Sequence, residues 1–168
     1  MEEPQLQRLV DESDLRDLIH RYALGLDTQD WDLWRSIFTD EVTLDLTDYE
    51  PEPAPRPLPV DLHLRYAQRL FAGFDATQHF ISTHRFAING DAAIITAHMR
   101  AEHWVTSGQG GDRYTMYGTY TDACVRTPDG WRISAVKLAL LREEGNRHLM
   151  RFAAQRGRAR LAERSAPA

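Results

Sequence analysis

Apolar positions recur at helical spacing early in the chain and at strand spacing in its second half. Leu15, Leu18, Ile19, Tyr22, Ala23 and Leu26 fall on one face of an amphipathic helix. Asp11 and Ser13 are N-cap candidates ahead of that stripe, which leaves residues 1–10 as a loose arm. The stripe runs in neighbouring pairs, 18/19 and 22/23, and the pair 26/27 ends on Asp27. A carboxylate there is either turn chemistry before Thr28-Gln29-Asp30 or a core-facing acid, and the pattern leaves both readings open. Asp30 caps a second helix over Trp31–Phe38. Val42, Leu44 and Leu46 alternate with polar residues and predict a short strand. The segment 51–59 holds five of the eight prolines and reads as a stiff extended connection. A third helix follows with Leu62, Tyr66, Leu70 and Phe74 on its stripe.

From Thr77 onward the pattern is that of strands and turns. Asn89-Gly90 marks a two-residue hairpin, and Gly108-Gln109-Gly110-Gly111 and Pro128-Asp129-Gly130 mark two further turns. Four strands result, near 77–87, 92–106, 112–126 and 131–142, and consecutive hairpins make them an antiparallel meander. Helices first and a curled sheet afterwards define an α+β domain over 11–146. Gly145-Asn146 breaks the chain before an Arg-rich C-terminal helix and tail, 147–168.

Strand alternation exposes several misfits. One face of the second long strand reads Ala93, Ile95, Ala97, Met99, Ala101, His103 and Val105, apolar except for His103. Its small residues leave room for a cavity on the concave side. On the next strand Tyr114, Met116, Gly118, Tyr120, Asp122 and Cys124 share a face, and Asp122 is the odd member. The opposite register, with Arg113, Thr115, Tyr117, Thr119 and Thr121 inside, remains open. His79 lies in a strand with no clean apolar face, so periodicity does not place it.

Composition narrows the chemistry. The 168 residues suit one domain, and 42% hydrophobic with 27% charged residues is ordinary for a globular chain. The net charge of −5 argues against a dedicated nucleic-acid binder. Nineteen of the 20 basic residues are Arg, and Lys137 stands alone. Cys124 is the only cysteine, so an intramolecular disulfide or cysteine zinc site is excluded, and a reducing cytoplasmic setting fits. The acidic N-terminus is no signal peptide, and no apolar run is long enough to span a membrane. There is no GxSxG, HExxH, Walker or GxGxxG motif, and the seven His show no tight ligand spacing, so neither a metal nor a cofactor is expected.

The pieces Leu18-Ile19-His20-Arg21-Tyr22-Ala23, Leu26-Asp27-Thr28-Gln29-Asp30-Trp31 and Leu44-Asp45 resemble the opening of a SnoaL-like domain of the nuclear transport factor 2-like superfamily. Thr77-Gln78-His79-Phe80-Ile81, Asn89-Gly90-Asp91-Ala92-Ala93 and Asp129-Gly130-Trp131-Arg132-Ile133 continue the likeness in order. It implies a cone-shaped, curved antiparallel sheet packed with three helices around a deep pocket. Within the superfamily the motifs are most similar to scytalone dehydratase, hexachlorocyclohexane dehydrochlorinase and bile-acid dehydratase. That likeness implies a catalytic Asp at Asp27 and a catalytic His at His79, with His103 as a second pocket histidine. The lining departs from scytalone dehydratase at Leu26, Leu46, Asp122 and Cys124, so scytalone is not the expected substrate.

An Asp–His pair is a workable general base, because the carboxylate fixes the ring tautomer and stabilises the imidazolium. The expectation is a cofactor-free lyase of the dehydratase type acting on a small hydrophobic or cyclic substrate. His103, Asp122, Tyr22, Tyr49 and Tyr120 are the candidates for substrate binding or proton donation. The same base also serves a polyketide-type cyclase or an isomerase. The fold also hosts ligand-binding proteins and small subunits of aromatic-ring dioxygenases. The resemblance further implies a homodimer or homotrimer, with Ile94, Arg100 and Trp104 on the outer sheet face.

Overall fold

The computed structural model describes residues 3–51, 53–106 and 110–165. Four helices pack into a curved, unclosed sheet of six strands. The helices are α1 (Glu3–Thr28), α2 (Trp31–Ser36), α3 (Val60–Phe71) and α4 (His148–Ser165). The strands are β1 (Phe38–Asp45), β2 (Pro57–Pro59), β3 (Ala76–Asn89), β4 (Ala92–Trp104), β5 (Arg113–Thr127) and β6 (Gly130–Gly145). Their order in the sheet is β2-β1-β6-β5-β4-β3.

The meander forms as the turn residues predict, with Gly90 and Gly130 at positive φ in two of its hairpins. Residues 107–109, which include Gly108 and Gln109 of the middle turn, lie outside the described residues. The sheet is antiparallel except where β1 runs parallel to β6. That one pairing departs from the expected antiparallel sheet, because β1 enters beside the last strand and not beside a neighbour in sequence. Pro57–Pro59, at the end of the proline-rich stretch, pairs on the outer edge of β1. An edge suits proline, which has no N–H to give to a further strand.

Three other expectations shift. Residues 3–10, read as a loose arm, are the first turns of α1. Their Leu6, Leu9 and Val10 are exposed, so this part lacks the buried stripe that announces the rest of the helix. Helix α2 stops at Ser36, so that Phe38 begins β1, while Asp30 caps it by accepting a hydrogen bond from the Leu33 N–H (3.0 Å). On α3 the buried face is rotated. Leu62 and Tyr66 are 43% and 47% exposed, whereas Ala67 and Leu70 are buried and His63 is half-buried.

The concave face of the sheet is the one that alternation picked out. Ala93, Ile95, Ala97, Met99, Ala101 and His103 are buried on β4, with Val105 just past its end, and Tyr114, Met116, Tyr120, Asp122 and Cys124 on β5. The alternative register of β5 is therefore not adopted, although Thr115 is also buried. Ile94 and Arg100 face outward as expected. Helix α4 closes one side of the cone by a close crossing over α3. A Cβ on Gly73 would lie 1.8 Å from the Ala153 carbonyl oxygen, and one on Gly157 would lie 1.9 Å from the Arg69 carbonyl oxygen. Only glycine permits that approach. None of the described helices is long and apolar enough to cross a membrane.

Candidate functional site

Strand β3 explains why periodicity could not place His79. Thr83 has φ 55° and the register against β4 shifts between Ser82 and Arg85. A bulge of this kind turns the following residues over. Before it the inward residues are Thr77, His79 and Ile81, and after it they are His84, Phe86 and Ile88. Neither odd nor even positions form one face along the whole strand.

The bulge leaves His79 pointing inward, opposite the last turn of α1. There Asp27 Oδ1 lies 2.6 Å from His79 Nδ1. Asp27 also accepts from the Thr77 hydroxyl (2.9 Å) and from the His79 backbone N–H (2.7 Å). The His79 side chain is 4% exposed and that of Asp27 20%. Burial opposes the charge on Asp27, but the bonds from His79 and Thr77 outweigh it and hold the carboxyl below the usual carboxylate range. An ionised carboxylate only accepts, so Nδ1 carries a proton, and in the neutral ring Nε2 is the nitrogen with the lone pair. Asp27 is thus both helix-terminal and core-facing.

His79 lies on the wall of a cavity of about 120 Å³ inside the cone. Leucine, methionine and aromatic side chains make most of that wall, and among the described residues no Arg or Lys is part of it. His103 stands beside His79, their rings 5.8 Å apart and nearly perpendicular. Burial and the neighbouring His79 lower its pKa to about 3, so it is neutral at physiological pH. Its Nδ1 is buried without a hydrogen-bond partner among the described residues.

Tyr22 and Tyr120 also reach the wall, with ring centroids 5.5 Å apart. Burial raises both hydroxyl pKa values well above normal, so both stay protonated donors. Tyr49 lies on the wall too, with the Arg147 guanidinium 4.8 Å over its ring. Asp122 is not on the wall. It is 2% exposed near Tyr22 and Tyr120, and among the described residues no cation stands beside it and its Oδ1 lacks a partner. Burial pushes its pKa up to about 8, which makes it a neutral acid at pH 7. Asp122, expected to bind substrate or donate a proton, thus sits off the wall and near the two tyrosines.

Two contributors escaped the sequence reading. Thr77 is two residues before His79 and so shares its face, a signal that needed only the strand direction. His63 also lies on the cavity wall, with Nε2 3.0 Å from the Val42 carbonyl oxygen. Its helical spacing to Ala67 and Leu70 was the signal, hidden by the exposed Leu62 and Tyr66. Among the described residues no group of three or more His, Cys, Asp or Glu side chains is placed to hold a metal ion.

Residues 7–137 match the model of the SnoaL-like domain. The chain belongs to the SnoaL-like family. The solved Kfla4162 protein from Kribbella flavida is 38% identical, with a TM-score of 0.81 over 86% of this chain and 99% of that one. This SnoaL-like chain also shares its fold with more distant structures. The Rv3472 protein of Mycobacterium tuberculosis, of unknown function and solved as a single-residue variant, is 15% identical, with a TM-score of 0.71 over 90% of this chain and 96% of that one. The hexachlorocyclohexane dehydrochlorinase LinA-type3 of Novosphingobium barchaimii LL02 is 14% identical, with a TM-score of 0.67 over 85% and 94% of the two chains. No curated protein matches this SnoaL-like sequence.

Proposed function

We propose that this protein is an acid–base lyase of the dehydratase type, in which Asp27 and His79 form the general base. The observation that carries the reading is the 2.6 Å contact between Asp27 and a buried His79 on the cavity wall. His79 Nε2 takes a proton from the carbon next to a carbonyl. The imidazolium formed is stabilised by Asp27, which accepts its Nδ1–H. Negative charge moves to the carbonyl oxygen, where the hydrogen-bonded pair of Tyr22 and Tyr120, with one hydroxyl donating to the other, has one free O–H to donate. A hydroxyl on the next carbon then leaves. The C–H and C–O bonds break, a C=C bond forms, and His79 returns its proton to the departing oxygen as water. His103, beside His79, gives its one ring N–H to the Tyr114 backbone, so its unpartnered Nδ1 is an acceptor for the hydrogen of the leaving hydroxyl.

A wall without Arg or Lys among the described residues favours an uncharged substrate. The volume of about 120 Å³ compares with the ~150 Å³ cavity that holds benzene, which favours a compound of one ring. A fold neighbour is named for an elimination, the dehydrochlorinase LinA-type3. This supports elimination over cyclisation or isomerisation by the same base. The test is the conversion of 3-hydroxycyclohexanone to cyclohex-2-enone, followed by enone absorbance. Turnover by the wild type, reduced on the order of a hundredfold or more in Asp27→Asn, supports the reading. Equal rates in the two proteins sink it.

A further inference from the structure

His63 has no part in the proton transfer just described, yet it borders the same cavity. It sits on α3, which packs on β1, and β1 lies next to one edge of the sheet. His79 sits on β3, the opposite edge. The curled sheet brings these two edges to one cavity, so the two imidazoles approach it from different walls.

The hydrogen bonding of the two rings differs in a way that assigns different tasks. A backbone carbonyl only accepts, so His63 Nε2 carries the proton that meets Val42 O, and in the neutral ring Nδ1 is the nitrogen with the lone pair. No carboxylate pairs with His63 among the described residues, whereas Asp27 pairs with His79. His63 therefore lacks the partner that would stabilise an imidazolium. The Val42 bond fixes the ring, and its other nitrogen is the candidate acceptor in a cavity whose other polar wall groups include Tyr22 and Tyr120.

We propose that His63 selects substrates by accepting a hydrogen bond from a hydroxyl that is retained in the product, on the side of the ring away from the carbon that His79 deprotonates. This rests on the reading of the cavity as a substrate site but not on the chemistry proposed there. A ligand without the hydroxyl leaves the His63 lone pair facing an apolar group, and a hydrogen bond forgone in this way costs about tenfold in affinity.

The probes are cyclohexanone and 4-hydroxycyclohexanone, with dissociation constants measured by calorimetry on the full chain. Neither can lose water across the carbons next to its carbonyl, so binding is read apart from elimination. The wild type is expected to favour the hydroxylated ketone by about tenfold. His63→Phe, which keeps the ring, should abolish that preference, and His63→Gln, which restores a carbonyl acceptor, should recover part of it. Circular dichroism confirms that both variants fold. An unchanged preference in both variants overturns the proposal, as does a wild type that binds the two ketones equally or binds neither. Turnover of 3-hydroxycyclohexanone by the wild type separates the two readings. If the preference survives where the wild type shows no turnover of 3-hydroxycyclohexanone, the lyase reading has failed and the role of His63 stands.

Discussion

Asp27 grips His79 at two points, accepting from the ring Nδ1 at 2.6 Å with one oxygen and from the backbone N–H at 2.7 Å with the other. The two residues are 52 positions apart, one at the end of a helix and one on an edge strand. The backbone contact fixes the strand against the helix, and the side-chain contact fixes the ring. A single carboxylate therefore ties the fold and the candidate base together.

The crossing of α3 and α4 depends on Gly73. Gly73→Ala drives a Cβ into the Ala153 carbonyl, which is backbone and yields only if α4 moves. The expected loss is about 2 kcal/mol of unfolding free energy. Faster amide exchange along α4 than along β4 and β5 would locate the damage, and equal protection in the variant and the wild type would refute it.

Asp11 anchors the N-terminal half of α1. It accepts a bidentate pair from Arg126 at 2.8 and 2.9 Å and a bond from the Trp131 indole at 3.2 Å. The Arg126 hydrogen bonds, opposed by burial, lower its pKa from 3.8 to about 2. A carboxyl depressed on folding contributes stability above its unfolded value and loses it as pH falls through the folded one. Asp11→Asn should lower the unfolding free energy at pH 7 by about 2 kcal/mol. The gap between the two proteins should close as pH drops from 3.8 to about 2. A gap that does not change with pH would contradict this account of the contact.

Asp122 has the opposite sign. Its folded pKa is raised to about 8 by burial, so between 3.8 and about 8 the folded state holds a proton that the unfolded state has lost. Stability then falls as pH rises across that window. Asp122→Asn, which is neutral at every pH, should remove the fall. It should unfold at a higher temperature than the wild type at pH 8 and show no such gain at pH 4. The difference at pH 8 is expected to be on the order of a few kcal/mol. Parallel pH curves for the two proteins would show that Asp122 is not held neutral.

Much of this arrangement was legible in the sequence, and the exceptions have physical causes. The β4 and β5 faces were readable because one side is buried throughout, so alternation carries the signal. His103 and Asp122 stood out there as polar residues in apolar rows. His79 did not, because the bulge at Thr83 switches the inward face in mid-strand. Only the resemblance to relatives linked it to Asp27. The parallel pairing of β1 with β6 is a long-range contact with no local mark. The place of Asp122, off the wall and near Tyr22 and Tyr120, was equally hidden, because alternation tells which face a residue takes but not whether it reaches the cavity. His63 was masked by Leu62 and Tyr66, which suggested a stripe one position round the helix, although Leu62 is exposed and Tyr66 is half-exposed with its ring reaching the same cavity wall.

The most direct test of the central claim follows proton abstraction alone, whatever the leaving group. In heavy water, the hydrogens next to the carbonyl of cyclohexanone exchange for deuterium wherever a general base acts on the bound ketone, and proton NMR reads the rate. The wild type is predicted to catalyse the exchange, His79→Gln to abolish it, and Asp27→Asn to slow it on the order of a hundredfold. Exchange that persists in His79→Gln, or that proceeds equally fast in Asp27→Asn, would contradict the account that Asp27 and His79 are its base.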